Sequence, residues 1–154
     1  MKILSIDCGI EKNGYAIYEN KNYLTSGLIK TDKNKNDQIR LKDLYNKLSL
    51  IIKKNQPKII VLEQLFFFKN LKTAIRVSQA QGVIILLSAQ KKLPVYYLTP
   101  LQVKQAITGY GKADKKSVQK MLKIELGLDI KQDDEADAVA LGYSYYLINS
   151  TFKR

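Results

Sequence analysis

The chain has no histidine, no tryptophan, a single cysteine and three prolines among 154 residues. Without histidine, Ser-His-Asp triads, Cys-His pairs and imidazole-ligated metals are excluded together. Acid–base and metal chemistry must then fall to carboxylates and lysines. Cys8 alone cannot form an internal disulfide, which fits a reducing compartment. Long apolar runs are missing too. The longest, Val83 to Leu87, is far too short to cross a bilayer, and the segment Met1–Asp7 meets an acid too early for a signal peptide. A cytoplasmic protein without a membrane partner is expected. Negative charge is scarce: 14 Asp and Glu stand against 26 Lys and Arg, a net charge of +12. Such an excess calls for a polyanion. Nucleic acid is favoured over an anionic membrane, because no lipidation signal or strongly amphipathic basic helix stands out.

What is present describes one domain over residues 1–154. Apolar content is 45% and charged content 26%, ordinary for a globular fold and against disorder. No internal repeat, linker or low-complexity segment interrupts it. Residues 2–7 read as a short buried strand ending at Asp7. Runs at Tyr15–Tyr18 and Tyr23–Ile29 follow, with Gly14 and Asn20-Lys21-Asn22 suited to tight hairpin turns, so an antiparallel three-stranded meander is expected. From about Asp37 to Asn55 the apolar residues fall at helical spacing, and Asn55-Gln56-Pro57 stops the helix. A strand to Leu62 or Glu63 comes next, then a helix over about 71–92 that is apolar nearly all round. That character predicts burial on more than one side, within the monomer or against a second subunit. Pro94–Leu98 reads as a strand, and Thr99-Pro100 as a capped helix start running to Gly109. Gly109 to Lys116 is a basic loop containing Tyr110. Helices follow from Ser117 to Leu126 and from Asp133 to about Asn149, the last amphipathic and acidic in its first turn. Helix-to-strand alternation after the meander gives an α/β domain.

Because acids are few, their positions carry weight. Glu63 is the only acid between Asp43 and Asp114, and it ends the apolar run Ile59–Leu62. A carboxylate at a buried strand end is costly unless it turns to solvent, pairs with a lysine or meets a metal ion. Three of the four phenylalanines, Phe66, Phe67 and Phe68, follow it, as core caps or as a wedge for bases. Asp133, Asp134, Glu135 and Asp137 crowd one helix start. The helix dipole accounts for one or two of them, yet Asp134 and Asp137 share a face, where like charges repel unless a cation lies between. Asp7, Glu63, Asp134 and Asp137 together make an oxygen-only donor set suited to Mg²⁺ or Mn²⁺. Two such ions about 4 Å apart activate water and stabilise the leaving oxygen in phosphodiester hydrolysis.

Several segments of the chain carry a family likeness. Ile6-Asp7-Cys8-Gly9, Gly14-Tyr15, Leu62-Glu63-Gln64-Leu65-Phe66, Gln79-Ala80-Gln81-Gly82, Gln102-Val103-Lys104-Gln105, Gly109-Tyr110-Gly111 and Asp134-Glu135-Ala136-Asp137-Ala138 follow one another along nearly its whole length. In this order the chain resembles the RuvC family of Holliday junction resolvases. The resemblance implies a ribonuclease H-like fold, with a mixed five-stranded sheet flanked by helices. It implies a homodimer that nicks two strands of a four-way DNA junction symmetrically, with divalent metal, in recombination and repair. Asp7, Glu63, Asp134 and Asp137 match the catalytic, metal-holding carboxylates, Mg²⁺ or Mn²⁺ being the ion and two ions the expected number. Phe66 matches an aromatic near the junction crossover, and Lys104 and Lys115 match basic positions close to the scissile phosphate. Phe67, Lys69, Arg76, Lys112 and Lys116 are added as DNA contacts on charge and position. The helix over 71–92 would face the dimer partner, and RuvAB-type branch-migration proteins are the further partners implied. Cys8 stands where the family usually has proline. Two alternatives remain open: a ribonuclease H-like nuclease acting on RNA–DNA hybrids, and a non-catalytic junction-binding protein.

Overall fold

A computed structural model describes residues 1–9, 11–65 and 70–151. Strands β1 (Lys2–Asp7), β2 (Lys12–Glu19) and β3 (Asn22–Lys30) form the expected antiparallel meander. Its second turn is made by Asn20 and Lys21, both at positive φ (51° and 75°), the twist that a two-residue hairpin requires. Helix α1 (Asp37–Asn55) leads to β4 (Ile59–Glu63), helix α2 (Leu71–Gln90) to β5 (Val95–Leu98). Helices α3 (Pro100–Thr108), α4 (Lys115–Leu126) and α5 (Asp133–Thr151) complete the chain. Among the described residues the strands make one mixed sheet in the order β3-β2-β1-β4-β5, with β4 parallel to both β1 and β5.

Alternation along each strand sends side chains to two cores. Leu4, Ile6, Ile17, Ile60 and Leu62 pack against Leu44 and Leu48 of α1 and Ile84 and Leu87 of α2. Ile3, Ala16, Tyr18 and Val61 pack on the opposite face with Val139, Leu141 and Tyr143 of α5, and with Val103 of α3 and Val118 of α4. The helix ends follow local chemistry. Asn36 caps α1 by accepting from the Ile39 amide at 3.0 Å, and Gln56 closes it at φ 51° before Pro57. Thr99 and Gln102 make a reciprocal capping box with Pro100 at the first position of α3.

Three expectations are corrected. Gly14 lies inside β2, opposite Asp7, rather than in a turn. Its lack of a side chain serves a close approach by α5. Helix α4 starts two residues earlier than expected, at Lys115, because Asp114 caps it by accepting from the Ser117 amide. Helix α5 is buried nearly all round from Ala136 to Tyr145, being held between the sheet on one side and α3 and α4 on the other. Helix α2 is buried on one side within the single chain. Ala80, Ile84 and Leu87 are buried, but Leu71, Ile75 and Leu86 are exposed in the single chain.

Candidate active site

Two neighbouring strands end in acids. Ile6 pairs with Leu62 in the parallel β1–β4 ladder, so Asp7 and Glu63 occupy the next rung at the carboxyl edge of the sheet. Alternation points both toward the α5 side, since Ser5, two residues before Asp7, bonds to α5, and Val61, two before Glu63, packs in the α5 core. Helix α5 begins there, bringing Asp134 and Asp137. Its seat is set by the sheet: Ser5 Oγ donates to the Ala138 carbonyl at 2.7 Å, and Tyr18 Oη to the Val139 carbonyl at 2.8 Å. Gly14 admits the helix start, because a Cβ there would lie 1.8 Å from the Asp134 carbonyl oxygen.

Asp7, Glu63 and Asp137 line a cavity of about 220 Å³ with Lys104 of α3 and Lys115 of α4, floored by Val103, Val118 and Leu141. Asp134 is not in its wall, yet its charge reaches Asp7. Burial, then the charges of Asp137, Glu63 and Asp134, push Asp7 up to about 7. Burial and then Asp137 also raise Glu63, while Lys104 and Lys115 pull it back. Burial raises Asp137, against the opposing pull of Lys115. Burial first, and repulsion between the acids after it, make them resist ionisation, as expected of a site completed by a cation. Lys115 supplies one positive charge. Its Nζ lies 2.9 Å from Asp137 and 3.6 Å from Asp133. Burial works against the lysine charge, but the bonds to Asp137 and Asp133 prevail and its pKa is raised.

The donor chemistry suits a hard divalent ion: carboxylate oxygens, with no imidazole and no ionised thiol. Cys8 is no exception, because burial and then the charges of Asp7 and Glu63 push its thiol well above the ordinary range. Among the described residues no three carboxylates are already arranged as a ligand set for one ion. Lys115 bonds only Oδ2 of Asp137, so a bound ion and Lys115 would share that carboxylate.

The other sequence candidates divide. Lys104 and Lys115 reach the cavity, and Lys112 and Lys116 are exposed close by in sequence, before and at the start of α4. Arg76 is not brought to the acids; it lines a separate groove with Asp37, Lys72 and Gln79. Phe66, Phe67, Phe68 and Lys69 lie outside the described residues. Sequence reasoning missed Asp133 as a partner of Lys115, and Gln81, whose Nε2 donates to the Glu63 carbonyl at 3.0 Å and ties α2 to the end of β4. The run Gln79-Ala80-Gln81-Gly82 marked that position without giving it a role.

A five-stranded sheet in this order, with acids at the ends of its first and fourth strands and at the start of its last helix, defines a ribonuclease H-like nuclease domain. The family model described as crossover junction endodeoxyribonuclease RuvC matches residues 3–145. The crossover junction endodeoxyribonuclease RuvC of Caldicellulosiruptor saccharolyticus is 47% identical over 158 residues, covering 98% of this chain and 95% of its own. That of Thermosipho melanesiensis is 47% identical over 149 residues, covering 93% and 95%. The structure of Thermus thermophilus RuvC in complex with Holliday junction substrate superposes with a TM-score of 0.90 at 26% identity, covering 99% of this chain and 96% of that one. The chain belongs to the RuvC family of crossover junction endodeoxyribonucleases.

Proposed function

We propose that this protein resolves four-way DNA junctions as a homodimer, by divalent-metal-dependent hydrolysis of one phosphodiester in each of two strands. The observation that carries the reading is the meeting of Asp7 and Glu63 on adjacent strand ends with Asp137 of α5, in one cavity shared with Lys104 and Lys115. A net charge of +12 supplies affinity for the DNA backbone.

Asp7, Glu63, Asp134 and Asp137 would hold Mg²⁺ or Mn²⁺, two ions being the proposed number. The metal supplies Lewis acidity toward the phosphate and lowers the pKa of bound water. Lys104 and Lys115 would face the phosphate at the mouth of the cavity and oppose the negative charge that develops there. Burial of Asp7 and Glu63 excludes bulk water and strengthens each of these contacts. Phe66, with Phe67 beside it, is assigned to stacking at the crossover, and Lys69, Lys112 and Lys116 to backbone contacts. Arg76, away from the acids, is assigned to a more distant phosphate.

The dimer proposal is supported by α2. Leu71, Ile75, Ser78, Gly82 and Leu86 recur at helical spacing. Nothing lies within 4 Å of where a Cβ on Gly82 would be. A second copy laid there would cover an apolar stripe with small residues at its centre. RuvAB-type branch-migration proteins are proposed as further partners, and the cytoplasm as the site of action. Among the described residues no helix is long and apolar enough to cross a membrane.

The deciding experiment compares cutting of a synthetic four-way junction, a linear duplex and an RNA–DNA hybrid, each with Mg²⁺, Mn²⁺ or chelator. Paired, metal-dependent nicks in the junction alone are expected. Cutting of the hybrid would move the protein to another branch of the fold, and tight junction binding without cutting under either metal would overturn the catalytic reading.

A further inference from the structure

One acid in the first turn of α5 is turned away from the cavity. Glu135 Oε1 accepts a hydrogen bond from Ser26 Oγ at 2.5 Å, and Ser26 Oγ shares a bond with Tyr23 Oη at 2.8 Å. Ser26 lies on β3, the strand farthest from β4 and β5. It pairs with Ala16, and Ala16 pairs with Ser5 in the next ladder. Ser26, Ala16 and Ser5 thus form one row across three strands, with a hydroxyl at each end and a methyl between. Both hydroxyls point to α5: Ser5 grips the Ala138 carbonyl and Ser26 the Glu135 carboxylate. Residues three apart share a helix face, so this row faces positions 135 and 138. Asp134 and Asp137 each precede one of these positions by a single residue and are carried around the helix by the same turn, toward the acids of β1 and β4.

We infer that Glu135, held by Ser26 and backed by Tyr23, is a positioning residue that fixes the rotation of the first turn of α5 and so aims Asp134 and Asp137 at the metal site. The inference rests on the carboxylate metal-site reading given above. The first turn has special need of such a tie. Its amides lack intrahelical partners, and Asp133 and Asp134 repel Asp137, a repulsion opposed by Lys115 of α4. The bonds from Ser5 and Tyr18 engage only at Ala138 and Val139. Glu135 is the side chain through which the sheet holds the turn ahead of them.

The test is Mn²⁺ binding by the full chain, followed through the electron paramagnetic resonance of the free ion, with junction affinity in chelator measured alongside. Glu135→Ala and Ser26→Ala are each expected to weaken Mn²⁺ binding about tenfold, the range seen when a supporting hydrogen bond is lost from a metal site. Junction affinity in chelator stays unchanged. Glu135→Gln, whose amide oxygen still accepts from Ser26, is expected to bind Mn²⁺ nearly as the parent does. Ser26→Ala carries the test should Glu135→Ala fail to fold. Parent-like Mn²⁺ binding in both alanine variants would overturn the inference. So would a Glu135→Gln variant as weak as Glu135→Ala, which would show that charge and not position matters. Failure of the parent protein itself to bind Mn²⁺ at millimolar concentration would instead remove the metal-site reading on which the inference stands.

Discussion

Gly14 and Asp134 meet backbone to backbone, and the first methyl group that any other residue would bring to position 14 would lie 1.8 Å from the Asp134 carbonyl oxygen. Gly14 is also the residue paired with Asp7 across the β1–β2 ladder. The approach thus sets the distance between the acid of the sheet and the acids of the helix. Since the obstacle is main chain, Gly14→Ala must push the start of α5 outward. A stability loss of about 1–3 kcal/mol is expected, as for other overpacked sites. Cutting should fall about 100-fold, the scale of a 1 Å misplacement of reacting groups. Junction affinity in chelator should persist. Chemical denaturation and junction cleavage on the same preparation check both, and unimpaired cutting would show that α5 need not lie so close.

Asp7 gives the metal-free protein a definite pH dependence. Its pKa is raised from 3.8 to about 7, first by burial and then by Asp137, Glu63 and Asp134. The folded state therefore holds this proton more tightly than the unfolded chain. The associated stability is complete below about pH 4, is lost as pH rises toward 7, and changes little above that. Glu63 and Asp137 are shifted in the same direction. In chelator, the melting temperature should fall between pH 5 and pH 8. Asp7→Asn should remove much of that fall, raise the melting temperature at pH 8 and abolish cutting. Because metal binds the ionised carboxylates, Mg²⁺ should stabilise the parent more at pH 8 than at pH 5. A flat melting profile in chelator would show that neither burial nor the neighbouring acids hold the Asp7 proton.

Lys115 already occupies the place where positive charge is needed. Its Nζ bonds Asp137 at 2.9 Å, with both side chains about half exposed to solvent (47% and 46%). Exposed pairs of this kind contribute roughly 0–1 kcal/mol. Lys115→Met should therefore leave the melting temperature in chelator close to that of the parent. It should let Mn²⁺ bind more tightly, since a competing positive charge no longer sits on the Asp137 carboxylate. Cutting should nonetheless fall about 10²–10³-fold, the usual cost of deleting a group that opposes developing charge. Tighter Mn²⁺ binding together with faster cutting would make Lys115 an inhibitor rather than a contributor.

These predictions draw on two kinds of residue, and only one kind is legible in sequence. Asp7 and Glu63 stand out because an apolar run that ends in a carboxylate is conspicuous in a chain so short of acids. Asp134 and Asp137 can be paired by helical spacing, and the capping residues Thr99 and Gly109 mark α3 from composition alone. Gly14 reads as a turn residue, because its real purpose is an approach by a helix 120 residues further along the chain. Glu135 and Asp133 are indistinguishable from their neighbours until the sheet shows which side of α5 it holds. Gln81 acts through a main-chain carbonyl, and a sequence carries no sign of that. The place of Arg76 is illegible too, since positive charge does not say which groove a helical side chain lines, and Arg76 lines one with Asp37, Lys72 and Gln79. The burial of α5 was hidden for a related reason. Its polar first turn suggested an amphipathic helix, whereas the following turns are enclosed by α3 and α4.

The exposed stripe on α2 makes the dimer proposal separable from the chemistry. Ile75 is 57% exposed in the single chain, and Leu71 and Leu86 lie on the same stripe. A charge placed there should cost the monomer little, within about 0.5 kcal/mol as for most surface substitutions. Across a two-fold axis the same charge meets its own copy, or the apolar stripe, on the partner. Ile75→Asp is therefore expected to turn a dimer into a monomer in sedimentation experiments while leaving the melting temperature of the single chain nearly unchanged. Its carboxylates and lysines would be intact, so residual cutting should appear as single, unpaired nicks rather than the two-strand scission that releases the junction. A nicked-circle junction substrate distinguishes these products directly. A variant that remains dimeric and still makes paired cuts would place the subunit contact on another face. A parent protein that sediments as a monomer yet cuts in pairs would remove the need for a stable dimer altogether.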